Sequence, residues 1–93
     1  MKVVVRSYGD IKRILNSDKL TVDLRDGAKI RDLISKLGGR VESSGRAFMG
    51  TYELKGSSLA VLVNGRNINA LNGIDTTLKE GDVVTFMPVL VGG

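Results

Sequence analysis

A single amphipathic helix among strand-like segments most constrains the fold of this chain. Four apolar residues fall at i, i+3, i+4 and i+7, which is the stripe of one helix face: Ile30, Leu33, Ile34 and Leu37. Gly38 and Gly39 follow and are predicted to end that helix. Residues 11–15 offer only about one further helical turn. Because one helical stripe can be buried only against a sheet, the pattern predicts a two-layer α+β domain.

Strand-like segments lie on both sides of this helix. Three consecutive valines lie within 2–8, and apolar and polar residues alternate over 20–25. After the helix come an apolar run at 59–63, an Asn-Gly hairpin signal leading into a short strand around Ile68, and a last strand at 83–87 that ends at Pro88. The order ββαβββ fits a single β-grasp domain over residues 1–93, with a mixed sheet of four to five strands packed on one main helix.

In two segments the apolar residues follow neither the helical nor the strand spacing. Residues 40–58 are predicted to form a long loop, in which Phe48, Met49 and Tyr52 either pack under the helix end, the favoured interpretation, or contact a partner. Residues 71–78 are predicted to be an irregular connection.

Alternation along the strands assigns side chains to two faces of the sheet. Six apolar residues are predicted to point into the core: Val3, Val5, Val61, Val63, Val84 and Phe86. The opposite face carries Val4 and Arg6, and the sequence has no second amphipathic helix to cover it. We therefore predict a partner surface on that face, made by Tyr8, Leu62 and Met87, with Pro88 at the end of the last strand as a further interface residue. The alternative is a set of scattered apolar residues whose exposure has no consequence.

The composition excludes much side-chain chemistry. The chain has no Cys and no His, so it offers no disulfide, no thiolate, no imidazole base and no zinc site of the usual kind. The acidic residues show no metal-binding or catalytic spacing, and there is no phosphate-binding glycine motif. We expect no bound metal or cofactor and no catalytic activity of the protein on its own.

Charge and hydropathy limit the partners. The net charge is +4, yet the basic residues are scattered, with Lys12-Arg13 as the one adjacent pair, and aromatic residues are few. Nucleic acid is not expected as a partner, whereas an acidic protein could be steered by this charge. The sequence shows no run of membrane-spanning length and no signal-peptide pattern, so we expect no membrane association and a cytoplasmic location.

The last residues carry the most reactive group. Val89 to Gly93 are predicted to form a flexible tail, which can extend about 16–18 Å from the domain. An ionised terminal carboxylate is a poor electrophile, so acyl chemistry at Gly93 would need activation by ATP. Gly92 and Gly93 lack side chains and would pass through a narrow channel. The alternative is a frayed terminus without function.

Several segments together resemble the sulfur carriers of the ubiquitin-like β-grasp superfamily. They are LVNGRNI at 62–68, LNGIDTTLKEGDVVTFMP at 71–88, and the final VGG. The resemblance is closest to the MoaD family, the small subunits of molybdopterin synthase. It implies that an adenylating enzyme of the MoeB/ThiF type, using ATP-Mg, activates Gly93 and that a persulfide then converts it to a thiocarboxylate.

The resemblance also implies how the sulfur is used. The tail, with Leu90, Val91 and Gly92 ahead of the reactive residue, would enter a MoaE-like large subunit, and Tyr8 and Met87 match positions of apolar contact. A ThiS-type thiazole sulfur carrier and a small archaeal modifier conjugated to target-protein lysines stay open as alternatives. A passive binding module with an incidental Gly-Gly is the third.

Overall fold

The computed structural model describes residues 1–37, 52–54 and 57–88. The predictions made for Gly38, Gly39, Phe48, Met49 and the tail 89–93 lie outside these residues. The described strands and helices are β1 (Lys2–Ser7), α1 (Gly9–Leu15), β2 (Lys19–Asp23), α2 (Ile30–Lys36), β3 (Tyr52–Leu54), β4 (Ser57–Val63), β5 (Arg66–Asn67) and β6 (Val83–Pro88).

The strands form one mixed sheet in the order β2-β1-β6-β4-β3, and the two-residue β5 pairs with β4. Strand β1 runs parallel to β6, with Val4 opposite Val83 and Ser7 opposite Phe86. The other pairs are antiparallel. The first and last strands therefore lie side by side at the centre of the sheet, which confirms the predicted α+β β-grasp architecture.

The core lies between the sheet and α2. All six residues that alternation assigned to the core are buried, and Val3, Val5, Val61, Val84 and Phe86 are completely so. Ile30, Leu33 and Ile34 of α2 are buried against them, while Leu37, at the end of the helix, is partly buried. The periodicity therefore predicted both the helix and its buried face correctly.

A side chain near the start of α2 stabilises its first turn. The Asp32 carboxylate accepts a hydrogen bond from the Lys29 N–H at 2.8 Å. This bond lowers the pKa of Asp32, and the nearby charge of Arg25, whose Nη2 lies 3.4 Å from Asp32 Oδ2, lowers it further. The carboxylate satisfies one of the N–H groups that a helix start leaves without an intrahelical partner.

The prediction of only one turn at 11–15 was wrong. Helix α1 begins earlier, at Gly9, and its seven residues make about two turns. Ile11 is fully buried and belongs to the same core cluster as Val3. Tertiary burial of one side chain therefore supports a helix whose sequence is too short to show a period. Since Ile11 packs into the core, α1 lies on the core side of the sheet, and neither described helix covers the opposite face.

Residues 52–54 and 57–58 were predicted as loop and are strand. Tyr52 lies opposite Leu59, and Leu54 opposite Ser57, in the antiparallel β3–β4 pair. A three-residue strand is too short for alternation to be visible. The side chain of Tyr52 is not described, so the choice between packing and partner contact stays a prediction.

The connection before β6 is more regular than predicted. It contains two 3₁₀ turns, Ile68–Ala70 and Gly73–Asp75. Ile68 begins the first of these rather than lying in a strand, and Ile68, Ile74 and Leu78 are all buried. The connection thus closes one end of the core with three apolar side chains.

Candidate functional site

The sheet face opposite the core is the candidate site, and we call it the outer face. Among the described side chains, the outer-face residues of β1, β2, β4 and β6 alternate with the buried ones. On β1, β4 and β6 they are exposed or half-buried: Lys2, Val4, Arg6, Ala60, Leu62, Val83, Thr85 and Met87. On β2 they are Lys19, Thr21 and Asp23. The buried residues of both helices belong to the core on the other side.

Three of the predicted interface residues lie together on this face. Tyr8 is 46% exposed and Met87 is 42% exposed. The Tyr8 N–H donates to the Phe86 carbonyl oxygen at 3.2 Å, which places Tyr8 beside Met87. Leu62 is half-buried on β4 and lies opposite Thr85. We call Tyr8, Leu62 and Met87 the apolar patch. The structure brings its members together, and its role as an interface stays a prediction.

The fourth predicted residue, Pro88, follows Met87 but alternates onto the face of Phe86, so its side chain lies against Gly9 on the core side of β6 and not on the outer face. It is exposed, pairs with Leu59, and is the last residue of β6. Leu90, Val91, Gly92 and Gly93 lie outside the described residues. The pairing to Leu59 fixes the point in the fold from which residues 89–93 continue.

Gly9 lies against Pro88, and sequence reasoning missed this contact. Gly9 has a φ of +58°, and a Cβ atom added to it would lie 2.8 Å from Pro88 Cγ. Real Cβ atoms essentially never approach another atom so closely, so any larger residue would have to displace the proline ring or the start of α1. The contact joins the start of α1 to the end of β6, and no local pattern in the sequence marks it.

Asn64 and Asp82 hold the start of β6. The Asn64 N–H donates to the Val83 carbonyl oxygen at 2.8 Å. The Val83 N–H donates to Asn64 Oδ1 at 3.0 Å, and Asn64 Nδ2 donates to Asp82 Oδ1 at 3.0 Å. The second Asp82 oxygen accepts from the Lys79 N–H at 2.8 Å. These residues build the scaffold behind the candidate site rather than the site itself.

The hairpin turn explains why asparagine and glycine stand at 64 and 65. Asn64 has a φ of 51° and Gly65 a φ of 85°, and a type I′ turn needs positive φ at both central positions. Asparagine tolerates that conformation better than most residues and supplies the amide that reaches Asp82. The Asn-Gly signal therefore predicted the turn, and the structure adds its link to β6.

The described residues offer neither a metal site nor a membrane-spanning helix. Within the described ranges, no three acidic side chains converge in a way that could hold a metal ion. In the same part of the chain, neither helix is long and apolar enough to cross a membrane.

Known proteins similar to this chain come from sulfur-carrier and modifier groups. Small archaeal modifier protein 3 of Haloferax volcanii is 25% identical over 93 residues, and the alignment covers all of both chains. A Pyrococcus furiosus structure, described as a candidate molybdopterin converting factor subunit 1, is 30% identical with a TM-score of 0.71, and covers 97% of this chain and 99% of its own. A complex of subunits 1 and 2 of the molybdopterin-converting factor from Helicobacter pylori matches with a TM-score of 0.52 at 20% identity, covers all of both chains, and shows the fold alone.

The family model described as "ThiS family" matches residues 5–93. That match begins within β1, includes every later element of the fold, and continues through residue 93. This chain therefore belongs to the ThiS family of ubiquitin-like β-grasp proteins.

Proposed function

We propose that this protein is a sulfur carrier whose Gly93 carboxylate is adenylated and converted to a thiocarboxylate, with molybdopterin synthase as the system it serves. The observation that carries the proposal is the position of the apolar patch. Met87 and Pro88 are consecutive in β6, so the exposed apolar surface lies directly beside the point from which 89–93 continue. A partner docked on Tyr8 and Met87 would be within reach of the tail. The ThiS-family match extends through residue 93 and supports a functional role for the tail.

The chemistry of the carrier follows in three steps. A Gly93 carboxylate oxygen attacks the α-phosphorus of ATP, pyrophosphate leaves, and an acyl adenylate forms. The terminal sulfur of a persulfide attacks the acyl carbon, and AMP leaves. A thiol then cleaves the sulfur–sulfur bond, so that the thiocarboxylate stays on Gly93 and the thiol is oxidised to a disulfide. A partner enzyme of the MoeB/ThiF type, with ATP-Mg, supplies the catalysis in this scheme, and the carrier supplies the acyl group and the docking surface.

The second partner in this scheme receives the sulfur. The Pyrococcus furiosus relative is described as a subunit of a molybdopterin converting factor, and the Helicobacter pylori protein forms a complex with its subunit 2. By analogy, we infer a MoaE-like large subunit that binds the apolar patch and takes the tail into its active site. Both partners would meet the carrier in the cytoplasm.

A protein modifier is the second candidate function. The full-length similarity to Small archaeal modifier protein 3 favours it. In that role the adenylated Gly93 would form an isopeptide bond with lysines of target proteins instead of releasing sulfur. A ThiS-type carrier, delivering sulfur for a thiazole, shares the first steps and differs only in the acceptor.

Intact mass spectrometry distinguishes these functions. The protein is incubated with ATP, a sulfur source and the adenylating enzyme of its organism, and is recovered without reducing or acidic treatment. A carrier gains the mass difference of one oxygen replaced by sulfur, whereas a variant without Gly93 and a reaction without ATP do not. Adducts linked to lysine without a thiocarboxylate would support the modifier function. Neither product, with an enzyme that activates a known carrier, would contradict both.

A further inference from the structure

Strands β1 and β2 carry three cross-strand pairs on the outer face. Met1 and Leu24 exchange both of their backbone hydrogen bonds, at 2.7 and 2.8 Å. In an antiparallel ladder the neighbouring positions are then non-hydrogen-bonded pairs, in which side chains approach most closely. Those pairs are Lys2 with Asp23, Val4 with Thr21, and Arg6 with Lys19.

One of the two charged pairs joins opposite charges, and the other joins like charges. At one end of the ladder, Lys2 Nζ lies 3.3 Å from Asp23 Oδ1 and forms an ion pair. At the other end, Arg6 and Lys19 are two exposed cations directly opposite each other. The ion pairs found among the described residues include neither of them. Like charges in opposite positions destabilise a sheet, so the charge of Arg6 and Lys19 is not explained by strand pairing.

These two cations lie at the edge of the apolar patch. Arg6 lies two residues before Tyr8 and therefore on the same face of the sheet. A row of cross-strand neighbours runs from Lys19 through Arg6 and Thr85 to Leu62. An apolar centre with a charged rim is the usual composition of a protein–protein interface. Complementary charge at such a rim sets partner choice and the rate of association.

We propose that Arg6 and Lys19 are the charge-recognition element of the apolar patch, and that its occupant is a protein surface with at least two carboxylates beside an apolar area. This inference rests on the proposed function, in which the adenylating enzyme and the large subunit bind the carrier in turn, and the occupant meant here is the adenylating enzyme. A protein fits better than a nucleic acid, because the cations border apolar side chains and because Tyr8 is exposed while Phe86, the other aromatic ring whose burial is described, is buried.

Charge reversal tests the inference without a loss of folding. Arg6→Glu creates an opposite-charge pair with Lys19, like the one between Lys2 and Asp23, so its melting temperature should rise. The double variant Arg6→Glu/Lys19→Glu restores a like-charge pair, now negative, and should melt close to the wild type. Lys79→Glu makes the same charge change as Arg6→Glu at the opposite end of the sheet, where Gly81 bonds to Lys2, and is the matched control.

The readout is ATP–pyrophosphate exchange by the adenylating enzyme, with the carrier as the varied substrate. We expect Arg6→Glu to raise KM about tenfold at low salt and the double variant about a hundredfold, with kcat unchanged. Added salt should raise the KM of the wild type and lower that of the double variant. Lys79→Glu should stay within about twofold of the wild type.

The outcomes separate the inference from the proposed function. If the wild type is adenylated and the double variant has the same KM, the inference is wrong and the proposed function stands. If the wild type is not adenylated at all, both fail. If the KM is unchanged and the double variant instead loses a measurable affinity for single-stranded RNA, the charged pair recognises nucleic acid and the inference is overturned.

Discussion

The contact between Gly9 and Pro88 predicts a specific defect in the variant Gly9→Ala. The new Cβ would lie 2.8 Å from Pro88 Cγ, at a residue whose φ is +58°. Gly27→Ala is the matched control, because Gly27 has a φ of +81° and open space where its Cβ would be. Both variants force alanine into the left-handed region, and only Gly9→Ala also collides with the end of β6.

The two variants should therefore lose different amounts of the free energy of unfolding. Left-handed backbone costs alanine about 1–2 kcal/mol, and lower entropy of the unfolded chain returns about 0.4–1 kcal/mol. Gly27→Ala should therefore lower the free energy of unfolding by up to about 1.5 kcal/mol. Overpacking adds about 1–3 kcal/mol, so Gly9→Ala should lose that much more. Urea denaturation measures both values.

The same substitution should disturb the tail. If Pro88 moves to relieve the contact, the tail starts from a shifted position, and the KM for adenylation rises in Gly9→Ala but not in Gly27→Ala. The double variant Gly9→Ala/Pro88→Ala removes the ring and should recover most of the loss that exceeds that of Gly27→Ala. Equal losses in Gly9→Ala and Gly27→Ala, with unchanged adenylation, would refute the argument that this contact positions Pro88.

Three further predictions follow from single contacts. Asn64→Gly keeps the positive φ but removes both side-chain hydrogen bonds, and should lower the free energy of unfolding by about 1–3 kcal/mol in urea; a loss no larger than that of an exposed control would refute the link to β6. Asp32→Asn should melt below the wild type at pH 7, because the pKa of Asp32 is lowered on folding, and the gap should close as the pH falls below about 3.9, whereas a gap independent of pH would contradict the assignment. Met87→Asp, on a side chain that is 42% exposed, should leave the melting temperature nearly unchanged and raise the KM for adenylation at least tenfold, and an unchanged KM would remove Met87 from the interface.

Periodic segments of the sequence predicted the structure well. The stripe of α2 and the alternation in β1, β4 and β6 are long enough to reveal which side chains are buried, and Ile34 and Phe86 are buried as expected. The predictions failed for short elements, because these have too few residues to show a period. Helix α1 depends on the burial of Ile11, and β3 on pairing with β4, so both are consequences of tertiary structure that a local pattern does not contain.

The candidate site also combines features that a local pattern predicts with features that depend on tertiary structure. Alternation predicted that Tyr8 and Met87 share the outer face, because facing depends only on the period of two along each strand. The charged pair of Arg6 and Lys19 could not be predicted in this way, since it depends on the register between β1 and β2. A shift of that register would pair Arg6 with a different residue of β2. The residues most visible in the sequence, such as Asn64, fix β6 in place, whereas partner choice is expected to depend on cross-strand neighbours that only the folded sheet brings together.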